Sequence, residues 1–148
     1  TLNGAVSGTS LATQAEIETG TSTNKLVTPG RMQYHPGTAK AWVCFNGTGT
    51  PAPLANYNCS SITDNGTGDY TALWNTDMSS ANYAVAGIAK HDSTNPGGGG
   101  HSAIAVDISR ASATTQAATG VRVTTYSGRS AALVDPELVE LIAFGDQA

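Results

Sequence analysis

Histidine side chains that lie close enough in sequence to share a metal ion occur at one place in this 148-residue chain. His91 and His101 enclose a glycine-rich segment, and Asp92 follows the first of them, so closure of the segment would bring three potential ligands together. A metal site needs fixed geometry and a third or fourth ligand, which four consecutive glycines do not provide. We therefore expect no metal site within one chain. The alternative is an axial site with one histidine from each of several symmetric subunits.

The two cysteines, Cys44 and Cys59, are too few for a metal cluster or a disulfide framework. If the chain reverses near Pro51, they face each other across adjacent strands. Two outcomes then stay open, a disulfide or a pair of buried free thiols, and the buried thiols are favoured.

The carboxylates show no local catalytic pattern. Residues 64–69 (Asp-Asn-Gly-Thr-Gly-Asp) resemble a calcium loop, but they lack the EF-hand spacing and its bidentate Glu, and a hairpin turn explains every residue. Asp107, Asp135 and Glu137 would suit glycoside cleavage only if folding brought a pair of them together. No phosphate loop or nucleophile elbow is present, so we expect neither an enzyme nor a cofactor.

Aromatic side chains offer a different chemistry, because their rings stack on the apolar faces of sugars. Most of them fall on alternating segments and are expected in the core, but an exposed one would form a sugar-binding platform. The set is Trp42, Trp74, Tyr57, Tyr70 and Tyr83.

The composition indicates a β-rich protein with neutral polar surfaces. Charged residues make up 12% of the chain, about half the roughly 25% that is usual in soluble domains. The net charge of −4 gives no reason to expect nucleic acid, and no apolar run approaches the roughly 20 residues of a membrane helix. The chain begins at Thr1, so we expect a processed protein or one piece of a longer one.

Period-two alternation and turn residues predict seven or eight short strands. Residues 40–75 are predicted to form a β-meander, and 109–119 to form a loop. The clearest other strands are 82–90, 102–108, 121–126 and 138–144. The fold class is therefore mainly β, a β-sandwich (jelly-roll-like) knob spanning residues 38–148.

Residues 1–37 are predicted to be an extended lead-in with one or two short helices. Thr13 and Glu16 form a capping-box pattern for a helix that stops at Gly20, and Thr28-Pro29 begins a short turn through Tyr34. His35 in the following Tyr-His-Pro-Gly turn is expected to be structural. Helices this short need partners, and copies of themselves around an axis are natural ones. The last strand, 138–144, is apolar on both faces except at Glu140, so it is expected to be covered on both, inside a sandwich or between subunits.

Several segments resemble the distal part of bacteriophage tail-fibre and related virion proteins. They are 41–50 (Ala-Trp-Val-Cys-Phe-Asn-Gly-Thr-Gly-Thr), 57–70 (Tyr-Asn to Asp-Tyr), 79–85 (Ser-Ser-Ala-Asn-Tyr-Ala-Val), 12–21, 27–36 and 135–145. They cover about two thirds of the chain in the family's order, whereas residues 90–130 carry little of the match.

The resemblance implies a virion protein, made in the bacterial cytoplasm and assembled as a homotrimer, whose partners are other virion proteins and a host-surface receptor such as a glycan. The implied function is host attachment by a fibre or similar appendage. The alternatives are a purely architectural collar, nozzle or head-fibre component and, less favoured, a glycan-degrading tailspike fragment. Because binding residues concentrate on loops, the receptor-binding candidates are Asp92, Ser93, Thr94, Asn95, Gly97, Gly98 and His101.

Overall fold

The computed structural model describes residues 11–90, 104–108, 116–127 and 132–148. The chain divides between residues 38 and 39 into two compact units. The sequence analysis placed this boundary one residue earlier.

The first unit contains the capped helix that the sequence predicts. Helix α1 (Gln14–Thr19) begins after Thr13, whose side chain and the Glu16 carboxylate cap each other's backbone N–H groups, and ends at Gly20 with a φ of 63°. A 3-10 helix follows at Pro29–Tyr34. His35 ends that helix, and its Nδ1 accepts a hydrogen bond from the Gly37 N–H at 3.0 Å, which agrees with a structural role in the turn.

The second unit consists of two curled antiparallel sheets. In chain order, its described strands are β1 (Ala41–Phe45), β2 (Pro53–Tyr57), β3 (Cys59–Gly66), β4 (Asp69–Trp74), β5 (Ala84–Lys90), β6 (Ile104–Ile108), β7 (Gln116–Ala117), β8 (Gly120–Ser127), β9 (Ala132–Leu133) and β10 (Leu138–Phe144). The first sheet has the order β2-β1-β10-β5. The second has the order β3-β4-β8-β6, and the short strands β7 and β9 also pair with β8. The predicted mainly β, two-sheet fold is confirmed.

The core contains the inward-facing residues of both sheets. Val43 and Phe45 of β1, Val139 and Leu141 of β10, and Val121 and Val123 of β8 are among its members. The Phe45 and Tyr70 rings meet edge to face across it, with centroids 5.2 Å apart. Farther along, the Tyr83 hydroxyl accepts a hydrogen bond from Trp74 Nε1 and donates to the Gly120 carbonyl, so no polar atom of this part of the core is left unpaired. The core therefore combines aliphatic and aromatic side chains, and among the described residues every buried side-chain nitrogen or oxygen has a hydrogen-bond partner.

The predicted meander over residues 40–75 is wrong in one respect. Strands β1 and β2 form a hairpin in the first sheet, whereas β3 and β4 form a hairpin in the second. The chain crosses between the sheets at Asn58, which has a φ of 55°. The Asn58 amide holds this crossing, because it donates to the Lys40 and Thr76 carbonyls and accepts from the Thr76 N–H. Asparagine suits such a position because it tolerates left-handed backbone better than most residues.

The predicted loop over residues 109–119 also needs a correction, because Gln116 and Ala117 pair with Val121 and Gly120 of β8. Small polar residues concealed this two-residue strand, whose pairing follows from a tight turn at Ala118 and Thr119.

Candidate functional site

The feature that most resembles a binding site is the outer face of the first sheet, the face opposite the core. Alternate residues of its two central strands point outward, and pairing places them in rows. Tyr57, Trp42, Ile142 and Ala86 form one row across the four strands, and Ala55, Cys44, Glu140 and Ile88 form the next. A fully solvated sheet face normally carries polar residues. This face is mostly apolar.

Two aromatic side chains lie next to each other on the outer face. Trp42 and Tyr57 are direct cross-strand partners, and they keep 39% and 50% of their surface exposed. By contrast, Tyr70, Trp74 and Tyr83 are buried. The expectation that most of these aromatics lie in the core is therefore confirmed, and the exposed pair lies on the sheet.

A groove of about 400 Å³ lies beside Trp42 on this face, between β1, β10 and β5. Ile88 and Ile142 line it together with the small residues of β5, and Glu140 is its one charged residue. No hydrogen bond or ion pair joins the Glu140 carboxylate to any residue within the described ranges. The Glu140 charge acts on its cross-strand partner Cys44, whose thiol pKa is raised first by burial and then by that charge. The groove thus combines an indole ring, an apolar floor and one unpaired carboxylate.

A second pair of charged side chains lies near the end of this sheet. Lys90 at the end of β5 forms an ion pair with Glu137 at 3.2 Å. Glu140 is therefore the carboxylate on this face that remains available to a ligand, within the described part of the chain.

The loop residues proposed from the sequence cannot be placed relative to this face. Asp92, Ser93, Thr94, Asn95, Gly97, Gly98 and His101 all lie outside the described residues, as does His91. Among the described residues, no group of three or more His, Cys, Asp or Glu side chains could hold a metal ion.

The two cysteines do not face each other as the sequence analysis expected. Cys44 pairs across the strands with Ala55 and lies on the outer face, whereas Cys59 opens β3 within the core. Both are free thiols in this arrangement, with Cys59 buried and Cys44 half-buried. The expected arrangement fails because β2 lies between them in sequence and β3 belongs to the other sheet.

The remaining carboxylates stabilise turns and strand pairs. Asp69 receives two hydrogen bonds from Arg122, at 2.8 and 2.7 Å, across the β4–β8 pair. Asp135 accepts from the Gly68 N–H at 2.6 Å and lies 2.9 Å from the Tyr70 hydroxyl. These contacts of Asp135, and the ion pair of Glu137 with Lys90, give both residues structural roles. The Asp107 side chain is not among the described side chains. Residues 64–69 form the β3–β4 hairpin turn, as predicted.

Sequence reasoning missed Glu140 as a site residue. Its signal was present, because Glu140 is the one residue that interrupts the apolar pattern of β10. The interruption indicates a binding site only once strand pairing places Trp42 and Ile88 beside Glu140.

No protein family and no curated protein matches the sequence. Among solved structures, the chain is similar to the phiAB6 tailspike, a structure solved with three-repeated oligosaccharides of Acinetobacter baumannii surface polysaccharide. The identity is 18% and the TM-score is 0.47, over 71% of this chain and 20% of the tailspike chain. The chain thus spans about a fifth of that protein. No helix in the described ranges is both long and apolar enough to cross a membrane.

Proposed function

We propose that this chain is a domain of a bacteriophage tail fibre or similar virion appendage that attaches the particle to the host surface. The sequence resemblance described above, which runs along the chain in the family's order, supports the virion assignment. The two-sheet knob is compatible with it, although fold alone does not determine function.

The observation that carries attachment is the exposed aromatic pair, Trp42 and Tyr57, beside Glu140 on the rigid outer face. Large aromatic rings on a fixed scaffold bind with little loss of conformational entropy. A neighbouring carboxylate can orient the ligand by accepting a directional hydrogen bond from it. The proposal includes no catalysis, and the structural contacts of Asp135 and Glu137, two of the three carboxylates named for glycoside cleavage, support that choice.

We further propose that the chain acts as a homotrimer. The resemblance supports this, and so does the small first unit, whose described part buries just two apolar side chains, Ala12 and Ile17. Three copies would make a weak single contact multivalent, with a gain of about 10²–10⁴ in apparent affinity when the geometry allows simultaneous binding.

Binding of fluorescently labelled protein to a panel of bacterial strains would test attachment. We expect saturable binding to some strains, and a reduction of about tenfold or more for Trp42→Ala or Tyr57→Ala, in the range of aromatic contact residues. Tyr126→Ala is the matched control, because Tyr126 is a similarly exposed aromatic (41%) on the other sheet. Equal loss from all three variants, or from none, would argue against the outer face. Absence of binding across the panel would favour the architectural alternative.

A further inference from the structure

We infer that the groove beside Trp42 is a subsite for a sugar that carries a free ammonium group, held between the Trp42 ring and the Glu140 carboxylate. The inference deepens the proposed attachment function and rests on it for biological context. It names a ligand chemistry that the groove selects, namely an amino sugar whose amine is not acylated.

The first step is the position of the carboxylate relative to the ring. Trp42 pairs with Ile142, and Cys44, two residues further along β1, pairs with Glu140. Trp42 and Glu140 are therefore diagonal neighbours on one face of an antiparallel pair, a separation of about 7–8 Å between backbones that long side chains bridge. Both line the same groove. A small cation in the groove can therefore contact the indole face and the carboxylate together.

The second step is the charge balance of the groove. Glu140 is exposed at the groove, and its direct cross-strand neighbours are Cys44 and Ile88. The one cation that is a diagonal neighbour on this face, Lys90, is ion-paired with Glu137, so within the described ranges no residue forms an ion pair or a hydrogen bond with the Glu140 carboxylate. A neutral apolar ligand would cover this carboxylate without pairing it, which is costly. A hydroxyl group would supply a hydrogen bond, but an ammonium supplies both hydrogen bonds and the opposite charge. The favoured occupant is therefore cationic.

The third step is the shape of the apolar surface. Trp42 and Tyr57 are cross-strand partners on the β1–β2 pair, and Trp42 lines a groove whose volume of about 400 Å³ falls in the small-ligand range. A pyranose ring stacks on an indole through its apolar C–H face, and an ammonium close to the ring edge adds a cation–π contact. A sugar bearing an amine meets both requirements in one residue.

Short oligosaccharides of chitosan and chitin are matched probes, because they share the same ring and linkage and differ in whether the amine is free or acetylated. We would measure binding of each to the full chain by titration calorimetry, in mildly acidic buffer that keeps the amines protonated. We expect the chitosan oligosaccharide to bind, and the chitin oligosaccharide of equal length to bind about tenfold more weakly, as for loss of one charged hydrogen bond.

Substitutions at two positions separate the contributions of charge and ring. Glu140→Gln keeps the size and is expected to remove the preference for the free amine, leaving weak binding of both probes. Trp42→Ala is expected to weaken both probes, whereas Trp42→Phe, which keeps an aromatic face, retains most of the binding. Addition of salt should weaken the chitosan complex more than the chitin complex, because the ion pair is partly exposed.

Three results would overturn the inference: neither probe binds, chitin binds as well as chitosan, or Glu140→Gln leaves the preference unchanged. The groove would also be excluded if a second copy covered it, so that a soluble quencher failed to reach Trp42 fluorescence in a Trp74→Phe background. This test and the test of the proposed function can fail independently of each other. Probe binding without binding to bacterial cells would retain the ammonium site and refute attachment, and the reverse result would refute only the ligand class.

Discussion

At the residue scale, Tyr70 shows how one side chain joins distant parts of the second unit. Its hydroxyl lies 2.8 Å from the Gly47 carbonyl oxygen and 2.9 Å from Asp135 Oδ1, so the turn after β1 and the segment before β10 meet at one buried phenol. Burial is the largest cause that raises the Tyr70 pKa above its ordinary value of 10.0, and the hydrogen bond and charge of Asp135 raise it further. The protonated phenol is therefore the form that the fold stabilises.

We expect Tyr70→Phe to lower the free energy of unfolding by about 1–2 kcal/mol at neutral pH, because a buried hydrogen bond is lost and its acceptors keep fewer partners. The pH dependence has a defined sign. Because the folded-state pKa is raised, the stabilisation is complete below pH 10.0, the ordinary value, and is lost as the pH rises toward the folded-state pKa.

Urea unfolding at a series of pH values would test this expectation. Wild-type stability should fall above pH 10.0, and the fall should be shallower in Tyr70→Phe. It should not vanish, since burial also raises the Tyr83 pKa. An identical alkaline fall in both proteins would contradict the assignment to Tyr70.

At the element scale, the β3–β4 hairpin depends on close backbone contact at its turn. Gly68 has a φ of 62°, and a Cβ there would lie 2.7 Å from the Val134 carbonyl oxygen and 2.8 Å from the Thr125 carbonyl oxygen. Gly49 has a similar φ of 71°, but no atom lies within 4 Å of the corresponding Cβ position. The two glycines share the backbone requirement and differ in the space around them.

This difference predicts unequal costs for the same substitution. Gly49→Ala should cost about 1–2 kcal/mol, the penalty of left-handed backbone. Gly68→Ala should cost about 2–5 kcal/mol, because overpacking against two backbone segments adds to that penalty. Thermal and denaturant unfolding would measure both. Equal costs would show that the segment around Val134 moves away freely.

At the scale of the whole molecule, substitutions on the two faces of β10 distinguish folding from assembly. Leu141 faces the core and is 3% exposed, whereas its neighbour Ile142 lies on the outer face. Leu141→Asp should therefore unfold the second unit, because it buries an unpaired charge. Ile142→Asp should leave the fold intact, because Ile142 lies on the outer face and not in the core.

Native mass spectrometry of the wild type and Ile142→Asp would test the proposed trimer and the role of the outer face together. We expect a mass of three chains for both proteins, with circular dichroism confirming the fold of the variant. A wild-type monomer at micromolar concentration would refute the trimer. Dissociation of Ile142→Asp alone would identify the outer face as a subunit contact, in favour of the architectural alternative.

The sequence by itself determined the local elements. Period-two alternation located β1, β5 and β10, because a strand beside a core must alternate its side chains. The same pattern showed that β10 is apolar on both faces. The Thr13–Glu16 pair and Gly20 located α1, because capping and left-handed termination depend on residues only a few positions apart.

Only the tertiary structure decided which elements share a sheet and which residues meet. The crossing at Asn58 separates β2 from β3, although no local pattern distinguishes it from an ordinary hairpin turn. Trp42 lies about a hundred residues from Glu140 along the chain and becomes its neighbour through the β1–β10 register. Such pairing depends on the burial of both inner faces at once. The candidate site therefore follows from strand register, which local sequence does not specify.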